Sequence, residues 1–104
     1  MIPNIRVLLV TGLTIVSPLQ ASNVDGQSIL NACAGCHGTN GLLVDSSMPN
    51  LSNLSYKQLT QELLDFKYDR RPGTIMNRIT RGYTDAELKA VAKYLGDLNQ
   101  NGAN

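Results

Sequence analysis

The sequence predicts an all-α domain, and three observations support that prediction. Two segments open with the capping-box pattern of a helix N-terminus, Ser-x-x-Gln at Ser55 and Thr-x-x-Glu at Thr84. Each is followed by apolar residues at helical spacing. No segment has the pattern of a β-strand. The chain has 104 residues, which allows one domain with a small core.

The first two helices are predicted from their apolar faces. A helix from about Asp25 to Ala34 carries an apolar face made of Gly26, Ile29 and Leu30. A second helix begins at Ser55 and has apolar residues at positions i, i+4 and i+7, namely Leu59, Leu63 and Phe66.

Two further helices are predicted towards the C-terminus. A short helix covers Thr74 to Arg81 and stops at Gly82. The last helix begins at Thr84 and presents one apolar stripe, which consists of Leu88, Val91, Ala92, Leu95 and Leu98.

The N-terminal segment predicts export. Residues 5–16 form an apolar run, followed by the helix-breaking Pro18 and a plausible cleavage point at Ala21. The run has about a dozen residues, whereas a bilayer span needs roughly 20. We therefore expect residues 1–21 to be a signal peptide and residues 22–104 to be the mature domain, without a stable membrane span. An uncleaved anchor and a buried helix are the alternatives.

The composition of the mature domain gives no support to nucleic-acid binding and suggests a cofactor. Loss of Arg6 with the signal leaves eight basic and eight acidic residues, so the domain is formally neutral, whereas nucleic-acid binding would call for a basic face. The domain has no tryptophan, and Phe66 is its one phenylalanine. A small domain with so thin a core usually recruits a disulfide, a metal or a cofactor for stability.

The only cysteines and the only histidine of the chain are Cys33, Cys36 and His37, within the stretch NACAGCHGTNG. A disulfide or a thioredoxin-like redox pair is one interpretation, but a thioredoxin-like pair would follow a strand, and the preceding residues have helical spacing. Zinc would need a fourth ligand, and no second pair of ligands exists. The remaining interpretation is the Cys-x-x-Cys-His attachment site of a c-type haem.

This spacing suits haem attachment. Two cysteines three residues apart on a helical turn can reach the two vinyl groups of one porphyrin as thioethers, which places His37 under the iron. We therefore expect one haem c, covalently bound through Cys33 and Cys36. A second axial ligand must be sulfur or absent, because no other histidine exists. With Met1 lost, the candidates are Met48 and Met76.

In its motif and in the Pro-Asn-Leu sequence that begins at Pro49, twelve residues after His37, the chain resembles the class I c-type cytochromes. The resemblance implies a cytochrome c fold, three to four helices around one covalently bound haem. It implies that the carbonyl of Pro49 accepts a hydrogen bond from Nδ1 of His37, which leaves Met48 as a packing residue. Met76 lies between a Pro-Gly turn and the last helix, where this family places its distal iron ligand.

Two further residues match the helix crossing of that family. In class I cytochromes the first and last helices cross, with a glycine that permits close approach and an aromatic side chain that packs on the first helix. Gly26 and Tyr94 fit those places. A flexible turn glycine and an ordinary amphipathic tyrosine are the alternatives.

A narrower resemblance covers about thirty residues. The segments DFKYDRRPGTIMNRITRGYTDAEL and CAGCHGTNG look like the haem domains of the cytochrome subunit of flavocytochrome c sulfide dehydrogenase. Those subunits are commonly dihaem, whereas this chain has one motif and the length of one domain. The resemblance implies an FAD-containing sulfide dehydrogenase subunit as electron donor. A free soluble monohaem carrier of the same lineage is the alternative, and either would act in the periplasm, since c-type haem is attached outside the bacterial cytoplasm.

Iron held by His37 and Met76 has no open coordination site, so we expect a one-electron carrier without catalytic residues. A haem peroxidase or gas sensor with a labile sixth ligand is the rival from another class. One candidate docking feature is a cluster of five basic residues around Met76 in sequence, here called the basic collar: Lys67, Arg70, Arg71, Arg78 and Arg81. The alternative is a solvated face that Asp65 and Asp69 partly balance.

Overall fold

A computed structural model of the chain describes residues 3, 11–15, 25–42 and 47–102. These residues form four α-helices and one short 3-10 turn, and no strand occurs among them. The helices are α1 (Gly26–His37), α2 (Tyr56–Lys67), α3 (Met76–Arg81) and α4 (Asp85–Gln100), and the 3-10 turn, Thr39–Gly41, follows α1. The all-α prediction is confirmed.

The capping boxes form as predicted. The hydroxyl of Ser55 accepts a hydrogen bond from the backbone N–H of Gln58 at 3.2 Å, and the Gln58 side chain accepts one from the backbone N–H of Ser55 at 2.9 Å. The same reciprocal pair joins Thr84 and Glu87, at 3.1 and 3.0 Å. Each box satisfies two backbone donors that would otherwise lack a partner at a helix start.

Two helix boundaries differ from the prediction. Helix α1 begins directly after Asp25, whose side chain accepts from the backbone N–H of Gln27 at 3.1 Å, but it continues three residues past Ala34 to His37. Helix α3 starts at Met76, two residues later than predicted. The reason is that its first turn is built on the carbonyl of Ile75, which accepts from two backbone N–H groups of the helix.

The core lies where α1 and α2 pack on α4. Six apolar side chains form one buried cluster: Ile29, Leu30, Leu59, Val91, Ala92 and Leu95. The apolar stripe predicted for the last helix faces this cluster, with Leu88 also buried and Leu98 half-buried against it. Burial of this stripe, rather than helix propensity, stabilises α4.

The crossing of α1 and α4 depends on Gly26. A Cβ at this position would lie 2.8 Å from the carbonyl carbon of Ala90 and 3.0 Å from Cβ of Tyr94, and it would also overlap the carbonyl oxygen of Ala90. The half-buried Tyr94 also packs against the core cluster. The close approach predicted for Gly26 and Tyr94 is therefore confirmed.

Gly26→Ala should lower the stability of the holoprotein by about 1–3 kcal/mol, because the new methyl group meets backbone that cannot rotate away. Thermal melting followed by circular dichroism measures the effect. Gly35→Ala in the same helix is the matched control, since no heavy atom outside its chain neighbours and the adjoining helix backbone lies within 4 Å of its Cβ position. The control should be neutral or stabilising by up to about 1 kcal/mol. Equal melting temperatures for the two variants would contradict the packing argument.

The predicted signal peptide, residues 1–21, lies mostly outside the described residues. In its described part, Leu13 and Ile15 are exposed. Within the part of the chain that the structure describes, no helix has the length and apolar character of a membrane span. Cleavage after Ala21 stays a prediction.

Candidate cofactor site

A cavity of about 480 Å³ opens between the four helices. Its inner wall is apolar and consists of Leu30, Leu59, Leu63, Phe66, Val91 and Leu95. The three residues of the motif, Cys33, Cys36 and His37, also line it, as do Met48, Pro49 and Met76. All the residues predicted to bind haem are therefore brought to one cavity.

His37 is the last residue of α1 and is 7% exposed. Its Nδ1 lies 2.9 Å from the carbonyl oxygen of Pro49. A carbonyl oxygen can only accept a hydrogen bond, so Nδ1 of His37 carries the proton and is the donor. The neutral ring then has its lone pair on Nε2, which is the form of histidine that binds a metal.

The chain turns tightly directly after His37. Gly38 and Gly41 both have left-handed backbone conformations, with φ of 80° and 75°. A Cβ on Gly41 would also lie 2.8 Å from Cβ of Leu51. Beyond the turn, the backbone N–H of Leu51 donates to the carbonyl of Gly41 at 2.9 Å. These contacts fix the segment that presents the Pro49 carbonyl to His37.

Asn99 of α4 anchors the same segment from the other side. Its side-chain amide donates to the carbonyl of Leu51 at 2.9 Å and to that of Leu54 at 2.7 Å. Close packing continues at Gly96, where a Cβ would lie 2.6 Å from the backbone nitrogen of Tyr56. Sequence analysis missed both residues, because nothing local to α4 indicates which loop it meets.

The two cysteines are free thiols on the last turns of α1. Cys33 is half-buried, and its Sγ lies 3.4 Å from the carbonyl oxygen of Ile29. Burial raises the pKa of the Cys33 thiol, and the neighbouring Cys36 raises it further. Cys36 is exposed but still borders the cavity. Two thiols one turn apart, a free imidazole Nε2 and an apolar cavity are a donor set that fits a covalently attached haem.

Both candidate methionines line the cavity, so lining alone does not separate them. Met48 directly precedes Pro49 and so belongs to the segment on the Nδ1 side of the His37 ring. Met76 is half-buried at the start of α3, in a different wall of the cavity.

A hydrogen-bond cluster that sequence analysis missed surrounds Met76. The Asn77 amide donates to the carbonyl of Arg71 at 2.8 Å and to that of Phe66 at 3.1 Å. The hydroxyl of Thr80, a residue only 1% exposed, donates to the carbonyl of Met76 at 2.8 Å. The polar residue after Met76 and the threonine one turn later are the only local signals that could have indicated this cluster.

Most of the basic collar is neutralised by carboxylates. Four of its five cations form ion pairs: Lys67 with Asp85, Arg70 with Asp65, Arg71 with Glu62, and Arg81 with Asp69. Among the described residues, Arg78 alone in the collar has no ion-pair partner. The structure therefore favours the solvated, balanced face over a strongly positive steering surface.

These ion pairs account for the lowered pKa values of two carboxyl groups that pair with the basic collar. The hydrogen bond from Lys67 at 2.7 Å, followed by that from the Tyr68 hydroxyl, lowers the pKa of Asp85. The hydrogen bond from Arg70 lowers the pKa of Asp65. The Arg71–Glu62 pair, at 3.3 Å, lines the cavity as well and places one ionic contact on its wall.

Comparison with known proteins gives a family match over residues 24–99, to the family described as cytochrome c. The cytochrome subunit of sulfide dehydrogenase from Chlorobaculum tepidum is 36% identical, over 82% of this chain and 74% of that protein. Cytochrome c-552 of Acidithiobacillus ferridurans is 32% identical over 78% of this chain but only 41% of its own length. Cytochrome c-553 of Helicobacter pylori is 29% identical over 89% of this chain and 97% of its own length.

Proposed function

The chain belongs to the cytochrome c family, and on that premise we propose that its haem c is attached through Cys33 and Cys36 and ligated at iron by His37 and Met76. Membership of the family makes it an electron-transfer protein with covalent haem c, rather than an enzyme. The observation that carries the assignment of His37 as iron ligand is its hydrogen bond to the Pro49 carbonyl, at 2.9 Å. It orients the imidazole and leaves Nε2 as the donor atom.

The chain's own residues perform three tasks. The thiols of Cys33 and Cys36 anchor the porphyrin to α1. His37 binds iron through Nε2, and the carbonyl of Pro49 holds the ring tautomer and increases its donor strength. The bound haem supplies a reversible one-electron couple between Fe(II) and Fe(III). The apolar wall of the cavity excludes water and, together with a thioether ligand, favours the reduced state.

Met76 is preferred to Met48 as the sixth ligand for a geometric reason. Nε2 of His37 points away from the edge of the ring that faces Pro49, and a sixth ligand would have to come from the side of the cavity to which Nε2 points. Met48 is adjacent to Pro49 in the chain, so its segment lies on the Nδ1 side of His37. Met76 enters from α3, which supports its assignment to the distal face.

The wild-type holoprotein tests the assignment directly. A pyridine haemochrome spectrum should report a haem with two thioether links. The oxidised protein should have a methionine-to-iron charge-transfer band, and the reduced protein should not bind carbon monoxide readily, because both axial positions are filled. Rapid carbon monoxide binding would favour the rival, a gas-binding or peroxidase-like haem protein. A colourless protein would remove the proposal altogether.

A redox protein is the partner that an electron carrier needs, and we infer that it is an FAD-containing sulfide dehydrogenase subunit acting with this chain in the periplasm. The 36% identity to a cytochrome subunit of sulfide dehydrogenase supports this inference. The predicted signal peptide supports export. Co-purification from the native source should yield a flavin-containing partner, and sulfide should reduce the haem much faster in that complex than in the isolated chain.

A free soluble carrier is the second candidate. It is supported by the match to cytochrome c-553 of Helicobacter pylori, which this chain covers over 97% of its length. In that case the native protein elutes at the size of a single chain, without flavin. No other native fraction then accelerates the slow direct reduction of the haem by sulfide.

A further inference from the structure

The connection between α2 and α3, residues 68–75, determines where Met76 sits. Its first half is held by backbone hydrogen bonds to α2, including one from the N–H of Arg70 to the carbonyl of Asp65 at 2.8 Å. Asp69, with φ of 55°, turns the chain there. Among the described residues, no backbone hydrogen bond is donated by residues 72–75. The half of the connection next to Met76 is therefore held by backbone hydrogen bonds only at Ile75, whose carbonyl accepts from two N–H groups of α3.

The side chain of Asn77 spans this weakly held half of the connection. Its amide donates to the carbonyl of Arg71 at 2.8 Å and to the carbonyl of Phe66 at 3.1 Å. Oδ1 of Asp69 lies 3.3 Å from the same amide nitrogen. A Cβ on Gly73 would lie 2.9 Å from Oδ1 of Asn77 and 2.8 Å from the ring of Phe66. The connection therefore folds tightly over Asn77, and the amide joins the residue after Met76 to the end of α2.

We propose that Asn77 is a positioning residue, whose amide closes the 66–77 loop and holds Met76 on the iron. The inference rests on the proposed ligand role of Met76. When the two donated hydrogen bonds are lost, the carbonyl of Arg71 loses its side-chain partner and that of Phe66 retains the backbone N–H of Asp69 at 3.3 Å. The loop then samples open conformations. An external ligand then competes more easily with Met76, since its apparent affinity rises with the fraction of open protein.

Binding of imidazole to the oxidised holoprotein tests this role, with the charge-transfer band as a second readout. Asn77→Ala should bind imidazole about tenfold more tightly than wild type and should have a weakened band. Asn99→Ala is the matched control, because Asn99 also donates from one amide to two loop carbonyls, but on the His37 side of the cavity. The control should lose a similar amount of thermal stability, while its imidazole affinity should rise clearly less than that of Asn77→Ala.

Asn77→Asp tests whether the N–H donors of Asn77 or the shape of its side chain holds the loop. A carboxylate has nearly the same size but cannot donate to the two carbonyls, so this variant should bind imidazole at least as tightly as Asn77→Ala. Wild-type affinity in both Asn77 variants, or an equal increase in Asn99→Ala, would overturn the positioning role alone. Absence of the charge-transfer band from wild-type protein would overturn the ligation of Met76 as well.

Discussion

Met76→Ala should yield a haem protein that keeps its covalent cofactor and loses its sixth ligand. The reduced variant should bind carbon monoxide at least roughly 100-fold more tightly than wild type, because an intramolecular ligand no longer competes for the iron. Its oxidised form should lack the charge-transfer band, and its reduction potential should fall, since a thioether stabilises the reduced state. Carbon monoxide titration and a redox titration measure these effects.

Met48→Ala is the matched control, because Met48 also lines the cavity and is also half-buried. This variant should retain the charge-transfer band and should not bind carbon monoxide readily. Lost packing should lower its stability by at most about 2–5 kcal/mol. If Met48→Ala bound carbon monoxide readily and Met76→Ala did not, Met48 would be the iron ligand and Met76 the packing residue.

The second large effect is expected when the haem is removed. The variant in which Cys33 and Cys36 are both replaced by serine cannot attach haem, and its apo form should be largely unfolded. At about 24 cal/mol per Å³, an empty cavity of about 480 Å³ would cost on the order of 10 kcal/mol. That is comparable to the whole stability of a small domain, about 5–15 kcal/mol. Far-ultraviolet circular dichroism should report the loss of most helical signal.

Addition of free haem to this apo variant gives the corresponding control. Non-covalent haem fills the same cavity and can still be bound by His37, so part of the helical signal should return. An apo form that melts cooperatively from native helicity would contradict the view that the cofactor completes the core.

Local sequence determined the features that depend on near neighbours in the chain. The capping boxes at Ser55 and Thr84 join residues three apart, so the four-residue patterns were sufficient to place both helix starts. The Cys-x-x-Cys-His motif likewise joins residues on one or two turns of α1. The close approach at Gly26 was also predicted, but through a family resemblance rather than from spacing, because it depends on a helix more than sixty residues away.

Only the tertiary structure decided which distant groups meet. The carboxylates that neutralise the basic collar include Asp85, eighteen residues from Lys67, and the amide of Asn99 reaches a carbonyl 48 residues away. The sequence alone assigns Asn77 no role, and only the fold of the α2–α3 connection places two carbonyls beside its amide. Helix periods and caps are short-range properties of the backbone, whereas such pairings depend on how the helices pack around the cavity.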